Sequence, residues 1–441
     1  MDEGLITLLL FVFLMIGLIS GLSITFVLGV IGTLFAIFLW GTHSLGVIPS
    51  LIFGKAMLSF GLIAIPLFIL MGTILQESGM ADALFGAIHI WGGRLRGGLA
   101  VAAVIVCTLF AAMTGIGGTG TVTMGLIALP AMVRRHYDKK LALGCIAAAG
   151  ALGILIPPSI IMIIYGMICQ VSIGRLYAGG IFPGLLLSAL YITYILVLCK
   201  MKPEVGPILV SETKITWKDK VKSTKSIIPS LILILAVLGS IFSGICTATE
   251  GSAIGAAGSI VCMAIYGGLR WEPFKRASLM TLRLSAMVMW IIFGAYAFAT
   301  VYTALGAPDF IQKVVKAMPI GYWGLFFLIQ AMYFILGCLL DPGAIVMITA
   351  PITMAIVAAI GYDEIWFGVI FVMNMQMAYI SPPFGYNLFY IKSISPETPM
   401  KDVYRAIVPF IILQAIGLTI VAIFPQIALW LPNLLFGRQN P

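Results

Sequence analysis

Two pairs of adjacent prolines, Pro157-Pro158 and Pro382-Pro383, lie inside segments that are apolar enough to be membrane helices. Proline removes a backbone N–H donor and clashes with the preceding turn, so each helix is predicted to break at mid-membrane. The carbonyl groups freed by a break are tolerated only where protein or a hydrated cavity receives them, and they suit a small hard cation. Two broken helices at corresponding positions indicate a transporter's binding site.

A glycine-marked turn is expected to face each break. Residues 97–134 and 320–360 are each too long for one span, and their centres read Thr114-Gly-Ile-Gly-Gly-Thr-Gly-Thr121 and Gly337-Cys-Leu-Leu-Asp-Pro-Gly343. Two helices of about 15 residues reach only part of the way through a hydrocarbon core of about 30 Å. Both segments are therefore interpreted as re-entrant hairpins, with two short tilted spans per segment as the alternative.

Placing each hairpin tip near a broken helix creates two predicted cation sites related by a pseudo-two-fold axis. Na⁺ takes oxygen ligands, and the ends of half-helices carry partial charges that attract ions. The candidates at the first site are Thr114, Gly117, Thr119, Gly153, Ile156 and Pro158, and those at the second are Gly337, Asp341, Ala378, Ser381 and Phe384. The alternative is that the glycines serve close helix packing and the prolines only kink the helices.

Polar residues near the breaks are candidates for contacts with an anionic substrate. They are Thr121 and Ser159 in the first half and Asn374, Gln376 and Asn387 in the second. The second group could equally satisfy the broken backbone.

Few ionisable residues lie within the predicted spans. Glu250 could carry a proton, or it could cap a helix that begins beside it. Asp341, at the second hairpin tip, is expected to face the cation through its carboxylate or its carbonyl group.

The composition excludes a soluble globular protein. Of 441 residues, 61% are hydrophobic and 9% are charged, with a mean hydropathy of +1.13, which is typical of polytopic membrane proteins. The seven cysteines have no CxxC or Cys/His spacing and are interpreted as core residues. No G-x-S-x-G, HExxH or P-loop motif is present, so the sequence does not indicate an enzyme. The basic net charge does not indicate a nucleic-acid partner, because Lys and Arg mark the loops of a membrane protein.

Ten apolar runs are long enough, or nearly so, to cross the bilayer. They cover roughly residues 4–20, 21–40, 60–76, 141–170, 175–199, 228–244, 248–268, 280–304, 364–393 and 404–432. The runs 141–170 and 364–393 contain the two breaks. Amphipathic arms are predicted before the hairpins, at residues 79–90 and 306–315.

The Lys and Arg residues are distributed unevenly in this layout. All except Lys55, Arg175, Lys313, Lys316 and Arg438 fall on one side of the bilayer. The positive-inside rule makes that side cytoplasmic and places both chain termini on the periplasmic side. The lysine-rich segment 201–226 is then predicted to be a cytoplasmic linker between residues 1–200 and 227–441.

The two halves contain an internal repeat. Gly79 and Gly306 are 227 residues apart, and the two proline pairs are 225 residues apart, so the offset is nearly constant. Each half has five spans plus one re-entrant hairpin, and an odd number of crossings inverts the second half. The predicted fold class is therefore an all-α polytopic membrane protein with an inverted-topology repeat, the plan of secondary transporters.

Seven motifs resemble the large membrane subunit of TRAP (tripartite ATP-independent periplasmic) transporters, the DctM type. They are Pro66-Leu-Phe-Ile-Leu-Met-Gly72, Ala128-Leu-Pro-Ala-Met132, Leu152-Gly-Ile-Leu-Ile-Pro-Pro-Ser159, Ala178-Gly-Gly-Ile-Phe-Pro-Gly184, Thr249-Glu-Gly-Ser-Ala253, Leu340-Asp-Pro342 and Ser381-Pro-Pro-Phe-Gly-Tyr-Asn387. The resemblance covers essentially the whole chain. One departure is the first tip, which is Ser-rich in many relatives but reads Thr114-Gly-Ile-Gly-Gly-Thr119 here, so carbonyl groups and Thr hydroxyls would have to bind the first Na⁺.

The resemblance implies a Na⁺-driven elevator-type transporter of the ion-transporter superfamily in a prokaryotic inner membrane, without an organic cofactor. It also implies two protein partners: a small membrane subunit of the DctQ type and a periplasmic substrate-binding protein of the DctP type. The expected function is Na⁺-coupled import of a small organic anion. A channel or exchanger on the same fold, working without a binding protein, is the alternative, and an intramembrane enzyme is disfavoured.

Overall fold

The computed structural model describes residues 3–20, 22, 24–46, 49–50, 52–92, 95–207, 217–317, 319–383 and 385–438, and these residues form helices and connections without a β-strand. The first half contains α1 (Glu3–Ile19), α2 (Ile24–Trp40), α3 (Phe60–Glu77), α4 (Met80–Gly92), α5 (Gly98–Thr114), α6 (Gly117–Val133), α7 (Lys139–Gly150), α8 (Ile160–Ile168) and α9 (Ile173–Met201). After α10 (Trp217–Thr224), the second half contains α11 (Ile228–Phe242), α12 (Ala248–Tyr266), α13 (Trp271–Ala304), α14 (Ala307–Ala317), α15 (Tyr322–Gly337), α16 (Pro342–Ile360), α17 (Glu364–Tyr379), α18 (Tyr386–Ile394), α19 (Met400–Ile423) and α20 (Gln426–Phe436).

Six helical stretches in the described part of the chain are long and apolar enough to cross a membrane. They lie in α3, α9, α12, α13 and α19 and in a stretch that runs from Lys220 in α10 to the end of α11. The other four predicted spans are outside this set, because α1 and α2 have only 17 residues each and the two proline-containing helices are divided.

Two predicted spans have different bounds in the structure. The run expected at 280–304 belongs to α13, which begins at Trp271 and has 34 residues. At 1.5 Å per residue this helix is roughly 50 Å long, so it extends beyond the hydrocarbon core. The run expected at 404–432 is divided between α19 and α20. Pro425 lies between these helices and has no N–H group to continue the helix.

Both predicted helix breaks are present. After α7, a 3₁₀ turn (Ala151–Ile154) and the proline pair precede α8, and after α17 a proline-containing loop precedes α18. Both Pro-Pro peptide bonds are cis. The hydroxyl oxygen of Ser159 accepts a hydrogen bond from the Met162 N–H at 3.3 Å and so caps the start of α8.

The helices of each hairpin are short. The first hairpin consists of α5 and α6, with 17 residues each, and the second consists of α15 and α16, with 16 and 19 residues. A helix of 17 residues is about 25 Å long, less than the thickness of the core. Gly115 makes the first turn with a left-handed φ of 65°, and Asp341 caps α16 in the second.

Helix contacts made by one half have equivalents made by the other half. Helix α2 packs on α13 and its counterpart α12 packs on α3, while α6 packs on α18 and its counterpart α16 packs on α8. Asp138 and Asp363 cap the equivalent helices α7 and α17 through their side chains. The predicted inverted repeat is therefore present as a pattern of reciprocal contacts. The predicted amphipathic arms are α4 and α14.

The segment predicted as a linker contains a helix. Helix α10 packs against α4, and the rings of Trp91 and Trp217 meet edge to face with centroids 5.9 Å apart. The Trp91 indole N–H donates to the Thr224 hydroxyl at 3.2 Å. Residues 208–216 of the predicted linker lie outside the described residues.

Candidate functional site

The first hairpin tip lies directly against the first helix break. The backbone N–H of Ile160 donates to the Gly115 carbonyl at 3.4 Å. A Cβ added to Gly153 would lie 2.9 Å from the carbonyl oxygen of Ile116, and one added to Gly115 would collide with the carbonyl oxygen of Pro158. Glycine permits this approach of two backbones, so the carbonyl groups of the tip and of the break lie close together. Cation binding by them stays a prediction.

The remaining candidates of the first cation site surround this contact. Thr114 is buried, and its hydroxyl donates to the Phe110 carbonyl at 3.0 Å, within the same helix. Thr119 lies in the first turn of α6 and is also buried. The side chain of Ile156 packs on Gly184 of α9. Ile156 could therefore reach a cation only through its backbone.

The second hairpin lies against the helix before the second break, and the contact is at Gly337, the end of α15. A Cβ added to Gly337 would lie 2.5 Å from the Cβ of Ala378, and 3.3 Å from the Met375 methyl group. The Ser381 hydroxyl donates to the Met377 carbonyl at 2.7 Å, so it stabilises the end of α17. Phe384, the fifth candidate of the second cation site, lies outside the described residues.

The two tips and the two broken helices meet at one central cavity of about 140 Å³. Helices α3 and α13 close its far side. The lining residues are Ile69 of α3, Gly115 to Gly117 of the first tip, Ile154, Ile160, Ile161 and Ile164 around the first break, Leu284, Met287, Val288 and Ile291 of α13, Asp341 to Gly343 and Met347 of the second hairpin, and Tyr379 and Tyr390. None of these lining residues is Lys, Arg or His.

Asp341 is the carboxylate at this cavity. Its Oδ2 accepts a hydrogen bond from the Gly343 N–H at 2.9 Å, which fixes the side chain at the start of α16. The described residues contain no group of three His, Cys, Asp or Glu side chains that could hold a metal ion. A cation in this region would therefore depend on backbone carbonyl oxygens, with Asp341 as the available charged ligand.

Tyrosines from the second half cover the first tip. The Tyr379 ring lies 3.3 Å from where a Cβ of Gly117 would be, and the Tyr390 ring occupies the place of a Cβ on Gly118. Tyr379 also stacks on Tyr386, with ring centroids 6.1 Å apart. The glycines of the first tip thus allow aromatic rings of the second repeat to pack against the start of α6.

The structure does not place the polar candidates of the first half in the cavity lining. Thr121 is fully buried and packs against Gly150 of α7, with no hydrogen-bond partner for its hydroxyl among the described residues. The Ser159 hydroxyl donates to the Ile154 carbonyl within the break. Both residues therefore lie outside the cavity lining, and contact of either one with a substrate stays a prediction.

The polar candidates of the second half also lie behind the lining. Asn374 donates to the backbone and side-chain carbonyl oxygens of Gln330, at 2.8 and 2.7 Å, and so joins α17 to α15. Asn387 donates to the Ala147 carbonyl at 2.5 Å and joins α18 to α7. Gln376 is fully buried, and neither amide atom has a partner among the described residues. Asn374 and Asn387 thus join neighbouring helices and do not bond to the described backbone of the second break, and contact of these residues with a substrate stays a prediction.

Glu250 forms a capping box at the start of α12. Its Oε2 accepts from the Thr247 N–H at 2.8 Å and from the Thr247 hydroxyl at 2.9 Å, while its own N–H donates to that hydroxyl oxygen at 3.3 Å. These bonds satisfy donors that a helix start leaves unpaired. The geometry therefore supports the capping role of this residue.

A second, larger cavity of about 480 Å³ adjoins the central one. It lies between α8, α13 and α16, and Met347 borders both cavities. Cys169 and Gln170 line it at the end of α8, and Thr303 lines it at the end of α13. This cavity therefore extends from Met347, at the central cavity, to the C-terminal ends of α8 and α13.

Sequence reasoning missed most of the cavity lining. Tyr379 and Tyr390 flank the second break, and that position is the one signal that could have identified them. The residues of α13 carry no such signal, because Leu284, Met287 and Val288 resemble any apolar side chains of a span. Only the packing of α13 against the two hairpins shows which of its faces meets the cavity.

Comparison with known proteins gives concordant results. Residues 7–427 match the family model "Tripartite ATP-independent periplasmic transporter, DctM component". A C4-dicarboxylate TRAP transporter large permease protein DctM of Pseudomonas aeruginosa is 34% identical over 375 residues, covering 85% of this chain and 86% of that protein. An isethionate TRAP transporter permease protein DctMQ of Oleidesulfovibrio alaskensis is 31% identical over 373 residues, covering 84% and 58%.

A solved structure shares the fold. The crystal structure of the Alcanivorax borkumensis YdaH transporter, described as having an unusual topology, matches with a TM-score of 0.63 and covers 96% of this chain and 98% of its own. The sequence identity is 13%, so the likeness concerns the fold alone.

Proposed function

Because this chain belongs to the family of DctM components of tripartite ATP-independent periplasmic transporters, and is thus a multi-pass large permease subunit, we propose that it imports a small organic anion together with Na⁺. The observation that carries the proposal is the single central cavity between two hairpin tips and two broken helices. Transporters with inverted repeats bind substrate and coupling ions at such a place.

The backbone near the cavity suits Na⁺ coupling. The carbonyl groups of Gly115 and Ile116 at the first tip lie beside the first break, and Asp341 borders the cavity at the second tip. A cation held there would offset the charge of an organic anion in a cavity whose lining has no basic side chain. Binding of the anion and of Na⁺ would then favour each other, which is the requirement for symport.

An asymmetry between the repeats supports an elevator motion. By the offset between Gly79 and Gly306, which directly follow α3 and α13, Gly72 corresponds to Ala299. The first tip lies against Gly72, since a Cβ there would be 2.9 Å from the Thr114 carbonyl oxygen. The second tip does not lie at the equivalent place. It lines the central cavity together with Met287 and Ile291 of α13, while Ala299 lines the larger cavity.

This displacement has a direction and a size. From Ile291 to Ala299 the helix rises roughly 12 Å, at 1.5 Å per residue. A shift of the hairpins and broken helices by about this distance along α3 and α13 would move the second tip into the larger cavity and exchange the environments of the two repeats. The moving unit would comprise α5 to α8 and α15 to α18, and α3 and α13 would belong to the fixed scaffold.

Two protein partners complete the proposed transporter. A small membrane subunit of the DctQ type and a periplasmic binding protein of the DctP type correspond to the tripartite description of the family. The relative from Oleidesulfovibrio alaskensis is named DctMQ, and this chain spans 58% of its length. The proposed location is a prokaryotic inner membrane with both termini periplasmic, on the basis of the Lys and Arg distribution.

The test is uptake by the reconstituted three-part system. The binding protein is first assayed against labelled succinate, isethionate, 2-oxoglutarate and benzoate, and the acid it binds is then offered to proteoliposomes. We expect uptake with an inward Na⁺ gradient and a loss of most uptake when K⁺ replaces Na⁺. Equal uptake in K⁺ would exclude the coupling, and equal uptake without the binding protein would favour the exchanger or channel.

A further inference from the structure

Helix α10 is fastened to the arm helix α4 by aromatic and hydroxyl groups. Besides the contact of the Trp91 and Trp217 rings and the Trp91 hydrogen bond to Thr224, the Lys220 ammonium lies 5.8 Å from the centre of the Trp91 ring. An ammonium over an indole face is an attractive arrangement. The segment between the two halves therefore holds the arm that leads to the first hairpin.

Several contacts place α10 in the same layer of the molecule as the ends of other helices. The Tyr266 hydroxyl at the end of α12 donates to the Ser226 carbonyl at 2.6 Å, just after α10. The Ser230 hydroxyl meets the Met80 sulfur, at the start of α4, at 3.1 Å. Since Met80 follows α3, the ends of α3 and α12 and the starts of α4 and α11 share one layer with α10.

Trp side chains in this layer are exposed on the protein surface. Trp217 is 70% exposed and Trp271, just after the end of α12, is also 70% exposed. Val221 on α10 is exposed as well. Tryptophan at the ends of apolar spans sits in the headgroup region of a bilayer, because its ring is apolar and its N–H group is polar.

Exposed basic residues outnumber exposed acidic ones among the described residues of the same layer, where Glu272 is the acid beside Trp271. Lys222 and Lys225 are exposed near the end of α10, and Arg270 and Lys275 are exposed around Trp271. Basic residues that accompany interfacial Trp side chains at the end of a span attract anionic lipid headgroups. Headgroups without a net charge would not be attracted by these basic residues in the same way.

We propose that α10 and the start of α13 form a binding surface for anionic phospholipid headgroups, and that this lipid holds α10 and the arm α4 at the membrane surface. The lysines of α10 supply the attraction, and Trp217 supplies the interfacial anchor. This surface is separate from the central cavity, so its occupation does not depend on which anion the protein transports.

The test compares quenching of Trp fluorescence by brominated phosphatidylglycerol and brominated phosphatidylcholine in nanodiscs containing the full chain. We expect stronger quenching by the anionic lipid, a smaller difference in Trp217→Phe, and a preference reduced by about tenfold or more in the triple variant Lys220→Gln, Lys222→Gln, Lys225→Gln. Lys202→Gln, in the same linker before α10, is the control and should keep the preference.

Equal quenching of the wild-type chain by the two lipids would overturn the proposal. So would a triple variant whose preference equals that of the Lys202→Gln control. Thermal unfolding of each variant in detergent shows whether it is folded, and a single variant, Lys222→Gln, replaces the triple if that protein does not fold. The outcome is independent of Na⁺-dependent uptake, so failure of one proposal leaves the other intact.

Discussion

At the scale of single residues, the start of α6 requires glycine, because there is no room for a side chain at Gly117 or Gly118. Gly117 and Gly118 lie against the rings of Tyr379 and Tyr390, which come from the other repeat. Any side chain here would push the tyrosines away from the first tip. The glycine-rich sequence of this tip is thus explained by packing between the two repeats as well as by the turn at Gly115.

We expect Gly118→Ala to reduce both stability and uptake. The new Cβ would overlap the Tyr390 ring, and overpacking of this kind costs about 1–3 kcal/mol. Gly86→Ala is the matched control, because Gly86 lies in α4 with no heavy atom within 4 Å of its Cβ position. That substitution should stabilise slightly, by up to about 1 kcal/mol. Thermal unfolding and uptake assays check both variants, and equal behaviour would contradict the packing argument.

Glu250 offers a second prediction at this scale. If its role is to cap α12, Glu250→Gln should keep most uptake, because the amide oxygen can still accept from the Thr247 N–H. Thr247→Ala should lower stability by about 1 kcal/mol. Uptake is measured between acidic and neutral pH. A loss of uptake, or a changed pH profile, in Glu250→Gln with normal stability would instead indicate a proton-carrying carboxylate.

At the scale of elements, the two arms begin in the same way. Gly79 before α4 and Gly306 before α14 both have a left-handed φ, of 75° and 74°. A Cβ at Gly79 would meet no heavy atom within 4 Å, so its requirement for glycine is conformational. Gly79 joins α3 to the arm α4 and Gly306 joins α13 to the arm α14, and each arm leads to a hairpin.

Gly79→Ala tests whether this joint matters for transport. A left-handed residue other than glycine costs about 1–2 kcal/mol, so the variant should be less stable by about that amount. Gly361→Ala is the control, with a φ of 79° and an equally open Cβ position, at the junction of α16 and α17. We expect similar stability losses in thermal unfolding but a larger loss of uptake for Gly79→Ala. Equal uptake losses would exclude a special role of the arm.

A contact between the two repeats gives a pH prediction. The Ser395 hydroxyl donates to Glu397 at 2.6 Å and the Lys139 ammonium lies 3.1 Å from the same oxygen. Together with the backbone N–H of Glu397, they lower the pKa of its carboxyl group from the ordinary 4.5 to about 2. Both charged side chains are largely exposed, so the effect on stability is small.

The sign of the pH dependence follows from the lowered pKa. The ionised Glu397 stabilises the folded chain above the ordinary carboxyl pKa, and this contribution is lost as the pH falls toward 2. We expect Glu397→Gln to be slightly less stable than the wild type at neutral pH, with the difference vanishing in acid. Thermal unfolding from neutral pH down to the lowest pH at which the protein stays soluble measures this. A difference that grows in acid would contradict it.

At the scale of the whole molecule, the two cavities and the asymmetry between the repeats are the basis for the proposed motion of the hairpins along α3 and α13. A Cβ at Gly72 would lie 3.3 Å from that of Thr114, close to the usual disulfide spacing of about 3.5–4.5 Å. Ala299, the counterpart of Gly72, lines the larger cavity, whereas Gly343 of the second tip lines the central one, and the proposed shift would bring the two residues together.

Cross-linking tests this motion directly. In a background with the seven native cysteines replaced, Gly72→Cys with Thr114→Cys should form a disulfide that lowers uptake below that of the same variant after reduction. Ala299→Cys with Gly343→Cys should cross-link only when the protein samples the opposite state. Each single variant under oxidation is the control. Full uptake with the first pair cross-linked would exclude relative movement of α3 and the first hairpin.

The sequence by itself determined the helix breaks, the short hairpins and the inverted repeat. These features depend on local causes: proline pairs end a helix wherever they occur, glycines permit a tight tip, and apolar runs of a given length indicate spans. Charge counting and the constant offset between Gly79 and Gly306 and between the proline pairs then related the two halves. That is why the overall architecture could be predicted from one chain.

Only the tertiary structure decided which residues line the cavity. Asn374, Asn387 and Ser159 are polar and close to the breaks in sequence, yet they bind other protein groups, while Met287 of α13 faces the centre. The rotation of each helix and the segment opposite it depend on packing with other segments, some of them distant in the sequence, as for Asn387 and Ala147, which are 240 positions apart. Local sequence signals do not predict that packing. The two cavities and the position of the second tip could therefore be described only from the folded chain.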